Sequence, residues 1–326
     1  MPRAVYCGRR LMLITGAATL MLILIVMGVI RTGKPFDVRL PLTKFENSIA
    51  VSEVTTFRGR LIKSSEQLAN ATLNSLHCVK TKIAGIAFPI CVYEATEDLY
   101  VSKSFILGNY FHRTFVERFI RLLRRYPDIQ FVDLGANIGT FTLPAARITD
   151  VVAVEPYKKS IDRLFKSIQL GGVENNVSLV FNAISNERST SKLGLHSGNF
   201  GGTFLRADTP DCVGELCTQT ILLDDLLPLM RRRRAVMKVD VEGYQPQVFS
   251  NSTAAKFFQL IDVPLIFLEW KLCRQQNISS QVHTLIHFFA AHKYTVFSEN
   301  GQLLEGKSCR QWTTENIILT KQYLNF

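Results

Sequence analysis

Three short apolar segments each run directly into a turn, and they constrain the fold of this chain more than any other feature. They read FVDLGANIGTF at 131–141, VVAVEP at 151–156 and VMKVDVEGYQPQV at 236–248. Strands of this kind, alternating with helical stretches, indicate a mostly parallel sheet that helices cover on both faces. In such sheets ligands bind at the carboxyl ends of the strands, near the point where strand order reverses. The three turns are therefore predicted to meet at one site.

The first turn has the spacing of a loop that holds a nucleoside cofactor. Gly135 and Gly139 allow close backbone turns, Asn137 lies between them, and Asp133 precedes the loop. Glu155 ends the second strand about 20 positions later, where an acid can accept hydrogen bonds from both hydroxyls of a ribose. These five residues are the predicted cofactor site.

A dinucleotide cofactor is the competing interpretation. Nicotinamide and flavin sites normally carry G-x-G-x-x-G, whose backbone N–H groups hold a pyrophosphate. The loop at 135–139 reads Gly-Ala-Asn-Ile-Gly and lacks that triplet. The spacing D-x-G-x-x-x-G is instead the one that S-adenosylmethionine-binding sheets use, with the acid placed to meet the ammonium of the methionine end. The pattern favours S-adenosylmethionine.

Six phrases in this order and spacing resemble the FkbM-type S-adenosylmethionine-dependent methyltransferases. They are DLGANIGTFTLPAA, AVEPYKKSIDRLFKSIQLGG, NVSLVFNAIS, LDDLL, KVDVEG and FLEW. The resemblance spans roughly residues 100–320 and implies a class I methyltransferase (Rossmann-like) α/β fold with a mostly parallel seven-stranded sheet. It also implies methyl transfer, usually to an oxygen, without identifying the acceptor. Because some membrane-anchored members of the family have trafficking roles, a catalytically silent protein that binds membrane cargo is the alternative.

Charged residues follow the later strands and are candidates for the chemistry. A strand is predicted at 236–241. Within it and directly after it, Lys238, Asp240 and Glu242 alternate with apolar residues, so they share the parity of one strand face. A hydroxyl acceptor must lose its proton during methyl transfer. We predict that Asp240 assists this step, that Glu242 and Lys238 orient it, and that Glu269 is a further candidate. The structural alternative is a lysine–carboxylate pair that caps the strand end.

The sequence does not predict a metal centre. His283 and His287 are four residues apart on a predicted helix, a spacing that zinc can use, but no adjacent acid completes H-E-x-x-H. His196 lies in a glycine-rich segment that is predicted to be a loop, and it is a weaker candidate for a base.

The compartment follows from an uncharged run of 20 residues at 11–30, which is long enough to span a bilayer as a helix. Three arginines precede it and favour a cytosolic N-terminus. A cleaved signal peptide is the alternative, but its apolar region is usually shorter and precedes a small-residue cleavage site. The predicted organisation is a cytosolic tail (1–10), one N-terminal transmembrane helix (11–30), a polar stem (31–75) and a methyltransferase domain (76–326).

Cysteines and glycosylation sequons agree with a domain in the lumen of the ER or Golgi. Six of the seven cysteines follow the apolar run, an even number that is compatible with three disulfides. Proximity along the chain suggests the pairs Cys78–Cys91, Cys212–Cys217 and Cys273–Cys309. Four N-x-S/T sequons also follow the run, at Asn70, Asn176, Asn251 and Asn277. The chain is predicted to be a single-pass type II membrane protein.

The charge of the chain limits its partners only weakly. The net charge is +11, and about +8 remains after the three N-terminal arginines are removed. A basic surface can favour an anionic acceptor such as an acidic glycan, or it can be an ordinary solvated surface. A lumenal domain does not meet nucleic acid. The predicted partners are the membrane and a glycan or small hydroxyl-bearing acceptor.

Overall fold

A computed structural model of the chain describes residues 59–62, 75–208, 211–270, 279–304 and 312–321. The predicted tail, the apolar run at 11–30 and most of the stem lie outside the described residues. In the ranges that are described, no helix is both long enough and apolar enough to cross a bilayer. The transmembrane helix therefore stays a prediction.

Strands and helices alternate along the described ranges. The strands are β1 (Leu61–Ile62), β2 (Cys78–Ile83), β3 (Ile86–Cys91), β4 (Gln130–Leu134), β5 (Val151–Val154), β6 (Val177–Val180), β7 (Ala183–Ile184), β8 (Thr190–His196), β9 (Asn199–Asp208), β10 (Cys217–Ile221), β11 (Arg234–Val239), β12 (Asp262–Glu269), β13 (Thr295–Ser298) and β14 (Asn316–Thr320). The α-helices are α1 (Val101–Ile106), α2 (Arg113–Leu123), α3 (Thr142–Ala145), α4 (Lys158–Gly171), α5 (Gln245–Val248), α6 (Asn251–Leu260) and α7 (Ser279–Ala291).

The main sheet is doubly wound. Its strand order is β1-β6-β5-β4-β11-β12-β14-β13. The five central strands, β6, β5, β4, β11 and β12, are parallel to one another, whereas β14 runs antiparallel to both of its neighbours. The chain proceeds outward from β4 to β6 and then returns to the other side of β4 at β11. The order therefore reverses between β4 and β11, and this is the position where such sheets bind ligands.

The sheet has eight strands, so the prediction of seven was wrong by one. The additional strand is β1, which comes from the predicted stem and pairs antiparallel with β6 through Leu61↔Val180 and Ile62↔Leu179. Without β1, the backbone N–H and C=O groups of β6 would form an open sheet edge. Two residues are too few to show an alternating pattern, which explains why this strand has no signal in the sequence. At the other end of the sheet, β13 and β14 pair antiparallel.

Each face of the sheet is covered by its own apolar core. On one side α2, α4 and the β2–β3 hairpin pack around residues such as Phe119 and Leu164. On the other side α6 and α7 pack around residues such as Phe257 and Phe288. The amphipathic pattern of 109–125 predicts one helix over that range. The helix α2 begins only at Arg113, because His112 has a left-handed backbone (φ 49°, ψ 39°) that interrupts helical geometry.

The segment 192–217, predicted to be rich in loops, contains a long β-hairpin instead. β8 and β9 pair antiparallel and join β7 and β10 in a separate four-stranded sheet. In β8, Leu193 is buried and Lys192 is exposed, as the period of a strand requires. The glycines of this segment lower its strand propensity, so the composition indicated a loop. Pairing with neighbouring strands determines the conformation here.

Two of the three suggested disulfides are present. Cys78–Cys91 joins β2 to β3, and Cys212–Cys217 closes the short loop that leads into β10. Cys273 and Cys309 lie outside the described residues.

Candidate functional site

A cavity of about 510 Å³ lies at the carboxyl ends of the central strands, where the strand order reverses. Several parts of the chain line it, among them the loop after β4, the ends of β5, β11 and β12, the β8–β9 hairpin, and the segment that leads into α2. Its lining includes polar, charged and aromatic side chains together with one glycine: Gly135, Asn137, Thr140, Phe141, Glu155, Lys238, Asp240, Glu242, Glu269, Phe111, His112, Phe115 and Glu315. The cavity therefore brings together most of the predicted site residues.

Gly135 determines how closely the loop after β4 approaches β11. Its backbone is left-handed (φ +81°), and a Cβ built on it would lie 1.8 Å from the carbonyl oxygen of Asp240. Its N–H donates to the carbonyl of Val154 at 2.9 Å. Only glycine fits this turn, and the close approach leaves room above the strand ends for a ligand.

Glu155 is fixed in the wall of the cavity by two backbone N–H groups. Its side chain accepts from Asn137 N at 2.8 Å through one oxygen and from Tyr157 N at 2.9 Å through the other. Burial raises the pKa of Glu155 to about 7, and the two N–H bonds oppose that shift only in part. Because a carboxylate has about four lone-pair sites, two remain for ribose hydroxyls. The hydrogen bond from Asn137 to Glu155 comes from its backbone N–H group.

Asp133 and Gly139 do not line the cavity. Asp133 is fully buried and accepts from Thr142 Oγ1 at 2.6 Å. Burial raises the pKa of Asp133, and the charge of Lys238 opposes that shift. Gly139 lies under the side chains of Leu164 and Leu143, since an added Cβ would stand 2.6 Å and 2.9 Å from their atoms. Both residues shape the loop from behind, and a contact of Asp133 with the cofactor stays a prediction.

Lys238 connects the loop after β4 to the end of β11. Its ammonium donates to the carbonyl of Gly135 and to Asp240 Oδ2, each at 3.2 Å, and lies 5.3 Å from the centre of the Phe141 ring. Burial lowers the pKa of Lys238, but the charges of Asp240 and Asp133 outweigh it and the net direction is upward. Lys238 is therefore a cation that positions the loop and Asp240 together.

Three carboxylates meet in the wall of the cavity, next to Lys238. Asp240, Glu242 and Glu269 each offer one oxygen, and these oxygens lie within 4.8 Å of one another. The prediction from strand parity was wrong in one respect: β11 ends at Val239, so Asp240 and Glu242 reach the cavity from the following turn, in which Glu242 has φ +48°. Carboxylates this close can hydrogen-bond several hydroxyls or hold a divalent cation.

The weaker histidine candidates lie elsewhere. The ring of His196 packs 4.8 Å from that of Phe204, and His196 does not line the cavity. His283 and His287 are exposed on α7 and are likewise outside the lining.

Several polar lining residues were not predicted from the sequence, among them His112, Asn182 and Glu315. His112 precedes α2, Asn182 lies between β6 and β7, and Glu315 directly precedes β14. Asn182 accepts from Arg60 N at 2.7 Å and donates to the carbonyl of Gln219 at 3.1 Å, so it ties the strand from the stem to the cavity wall. Each residue reaches the cavity only through the tertiary fold, and none has a local sequence signal.

A doubly wound sheet, a glycine loop at its switch point and an acid at the next strand end together define a class I methyltransferase fold. The chain belongs to the FkbM methyltransferase family: the family model described as the methyltransferase FkbM domain matches residues 133–296, half of the chain. The resemblance seen in the sequence is thereby confirmed. Methyltransferases of this family use S-adenosylmethionine as their usual cofactor.

Several solved structures are similar to this chain at low identity. A precorrin-6y C5,15-methyltransferase from Geobacter metallireducens is 14% identical over 64% of this chain and 89% of its own, with a TM-score of 0.35. An O-methyltransferase from Bacillus cereus in complex with SAH is 13% identical over 63% and 78%, with a TM-score of 0.33. A putative SAM-dependent methyltransferase from Streptococcus mutans is 10% identical over 74% of this chain and 55% of its own, with a TM-score of 0.40. Among curated proteins the chain has no match.

Proposed function

We propose that this protein transfers a methyl group from S-adenosylmethionine to a hydroxyl of a glycan or another acceptor in the secretory pathway. One observation carries the proposal: a single cavity joins the glycine loop and Glu155 to the carboxylates of Asp240, Glu242 and Glu269. A binding site for a nucleoside and a polar site for a hydroxyl compound thus share one space.

The residues on the loop side fit the cofactor. Glu155 holds the ribose diol, the backbone at Gly135 and Asn137 passes along the cofactor, and Asp133 acts behind the loop. When bound, S-adenosylmethionine supplies an electrophilic methyl group. The role of the protein is to hold the acceptor oxygen in line with that group, which accounts for a large part of the rate gain in reactions of this kind.

The three carboxylates of the cavity orient the acceptor. Asp240 is held by Lys238 at 3.2 Å, and Glu269 lies beside Gln245, whose side-chain N–H₂ donates to it at 3.4 Å. Glu242 completes the group from the turn after β11. These groups accept hydrogen bonds from the acceptor hydroxyls, and Asp240 assists as the reacting hydroxyl loses its proton.

The two disulfides support placement in an oxidising compartment, where such bonds persist. With the uncharged run at 11–30, they favour a type II protein whose domain at 76–326 faces the ER or Golgi lumen.

The test of cofactor binding is titration calorimetry of the full-length chain in lipid nanodiscs with S-adenosylmethionine. Glu155→Ala removes two charge-assisted hydrogen bonds to the ribose, so we expect a Kd increase of about 30-fold or more, equivalent to roughly 2–4 kcal/mol. Glu174→Ala, at an exposed glutamate outside the cavity, is the matched control and should bind as wild type does. Equal affinity of Glu155→Ala and wild type would show the assignment to be wrong.

The same titration has an expected pH dependence. The pKa of Glu155 is raised from 4.5 to about 7, and the ionised form is the better acceptor for two hydroxyls. Affinity should therefore rise as the pH increases through about 7, and Glu155→Gln should lose this rise. In the ligand-free protein the sign is opposite: the raised pKa contributes stability that is present below pH 4.5 and lost as the pH rises through about 7.

A further inference from the structure

His112 is held firmly against the loop that follows β4. The hydroxyl of Tyr110 donates to the carbonyl of Thr140 at 2.6 Å. On the other side of His112, the ring of Phe115 packs 6.0 Å from that of Phe141 and 5.4 Å from that of Phe267 on β12. Contacts on both sides thus fix the position of His112 relative to the glycine loop and the strand ends.

The backbone of His112 lies in a region that few non-glycine residues occupy. It is left-handed (φ 49°, ψ 39°), and its carbonyl accepts from Phe115 N and Val116 N at 3.0 Å each, which starts α2. A left-handed non-glycine residue is disfavoured, and such residues cluster at functional sites. This conformation places an imidazole at the wall of the cavity.

The charges around His112 suit a group that gains a proton. The charged groups that act on it electrostatically are Glu299 after β13, Glu315 before β14, Lys238 in β11 and Asp240 in the turn after β11. Its neighbour Arg113 is turned toward Glu117, at 3.4 Å. Burial lowers the pKa of His112, and the three carboxylates oppose that shift. The imidazole is thus a neutral acceptor near pH 7, and the acids stabilise its cation once it forms.

We propose that His112 is the base that receives the proton of the acceptor hydroxyl, a role that rests on the proposed function. The acceptor oxygen forms its bond to the methyl carbon while the carbon–sulfur bond breaks and leaves its electron pair on sulfur. The hydroxyl proton passes to a ring nitrogen of His112 and later leaves to solvent. Asp240, already paired with Lys238 at 3.2 Å, then orients the hydroxyl and stabilises the imidazolium.

A test that needs no acceptor compares the pKa of His112 with S-adenosylmethionine and with S-adenosylhomocysteine bound. The full-length chain is labelled with ¹⁵N-histidine, titrated by NMR in nanodiscs, and assigned with His112→Gln. A sulfonium charge beside the imidazole should make the pKa of His112 lower in the first complex than in the second by roughly 0.5 to 1. His283, exposed on α7, should titrate identically in both.

The outcomes separate the two proposals. If calorimetry shows that both cofactors bind and His112 titrates identically in the two complexes, His112 does not face the methyl group and the assignment is overturned while the cofactor site stands. If neither cofactor binds, the proposed function fails, and the role of His112 fails with it. A lower pKa in the sulfonium complex supports both.

Turnover gives a second readout with a panel of neutral and acidic glycans. His112→Gln should lower kcat by about 100-fold or more. A base must be neutral to accept the proton, so kcat of wild type should rise with pH, and the variant should lose that rise. The Kd for S-adenosylmethionine should stay unchanged. His283→Gln should match wild type. A kcat within threefold of wild type and an unaltered pH profile for His112→Gln would overturn the proposal. If wild type methylates no acceptor in the panel, the NMR comparison decides.

Discussion

At the scale of single residues, the site depends on a few positions where the local geometry restricts the residue type. Gly135 lies against the backbone of the neighbouring strand end, and Glu155 is held by two backbone N–H groups. Both were predicted to bind the cofactor, and both lie in the cavity wall, whereas Asp133 and Gly139 lie behind it. The spacing of a motif indicates which residues form a loop, but the packing decides which of them face the ligand.

Gly135→Ala should destabilise the protein by about 2–4 kcal/mol, because the new methyl group meets a backbone carbonyl and the left-handed backbone disfavours alanine. The overlap is severe, since the added Cβ would be 1.8 Å from the Asp240 oxygen. The matched control is Gly172→Ala: Gly172 also has a positive φ (+61°) but has open space around it, so only the cost of a left-handed alanine, roughly 1–2 kcal/mol, applies. Urea unfolding of both variants measures the difference. Equal losses would contradict the close approach.

At the scale of secondary-structure elements, the β2–β3 hairpin supports the cofactor loop from behind. Cys91 N donates to Ser167 Oγ on α4 at 2.8 Å, and the Tyr93 hydroxyl lies 2.8 Å from Ser160 Oγ on the same helix. Ser160 Oγ in turn donates to Asn137 Oδ1 at 3.4 Å. The Cys78–Cys91 disulfide closes this hairpin, so it stabilises an element on which the site rests.

Replacing both Cys78 and Cys91 by serine should lower the free energy of unfolding by about 3 kcal/mol, because the disulfide restricts the unfolded chain. The same double replacement at Cys212 and Cys217 is the control. The sequence separation is 13 residues in the first pair and 5 in the second, so the control should lose only about 2 kcal/mol. Denaturant unfolding gives both values. A larger loss for the Cys212–Cys217 pair would contradict the expectation.

At the scale of the whole molecule, topology in the cell determines which acceptors the site can meet. The apolar run at 11–30 and the sequons predict a lumenal domain, and the two disulfides are consistent with it. The strand β1 also shows that residues 61–62 of the predicted stem pair with the sheet, so the folded domain begins before residue 76.

Glycosidase treatment of the cell-expressed protein should increase its gel mobility, and Asn70→Gln should reduce that change, because Asn70 is the sequon in the predicted stem. In sealed microsomes, added protease should leave the domain intact and should digest it once detergent opens the vesicles. Digestion of the domain in intact vesicles would exclude the lumenal topology.

The sequence by itself determined the class of the fold, the central strands of the sheet and the edge of the sheet where the cavity lies. Apolar strands such as 131–134 and 151–154, the glycine spacing after Asp133 and the acid at Glu155 are local patterns. Local patterns are readable because strand alternation, turn geometry and an acid at a strand end each depend on neighbouring residues in the chain. The family, the order of the central elements and two disulfides followed from these patterns and from cysteine proximity.

Only the tertiary structure decided which side chains share the cavity. The oxygens of Asp240 and Glu269 meet because β11 and β12 are paired neighbours. His112 lines the same cavity because Tyr110 and Phe115 fix its segment to other elements. The β8–β9 hairpin formed against its glycine-rich composition because strand pairing outweighed propensity. Contacts between distant segments depend on the packing of the whole sheet, and no window of the sequence contains that information.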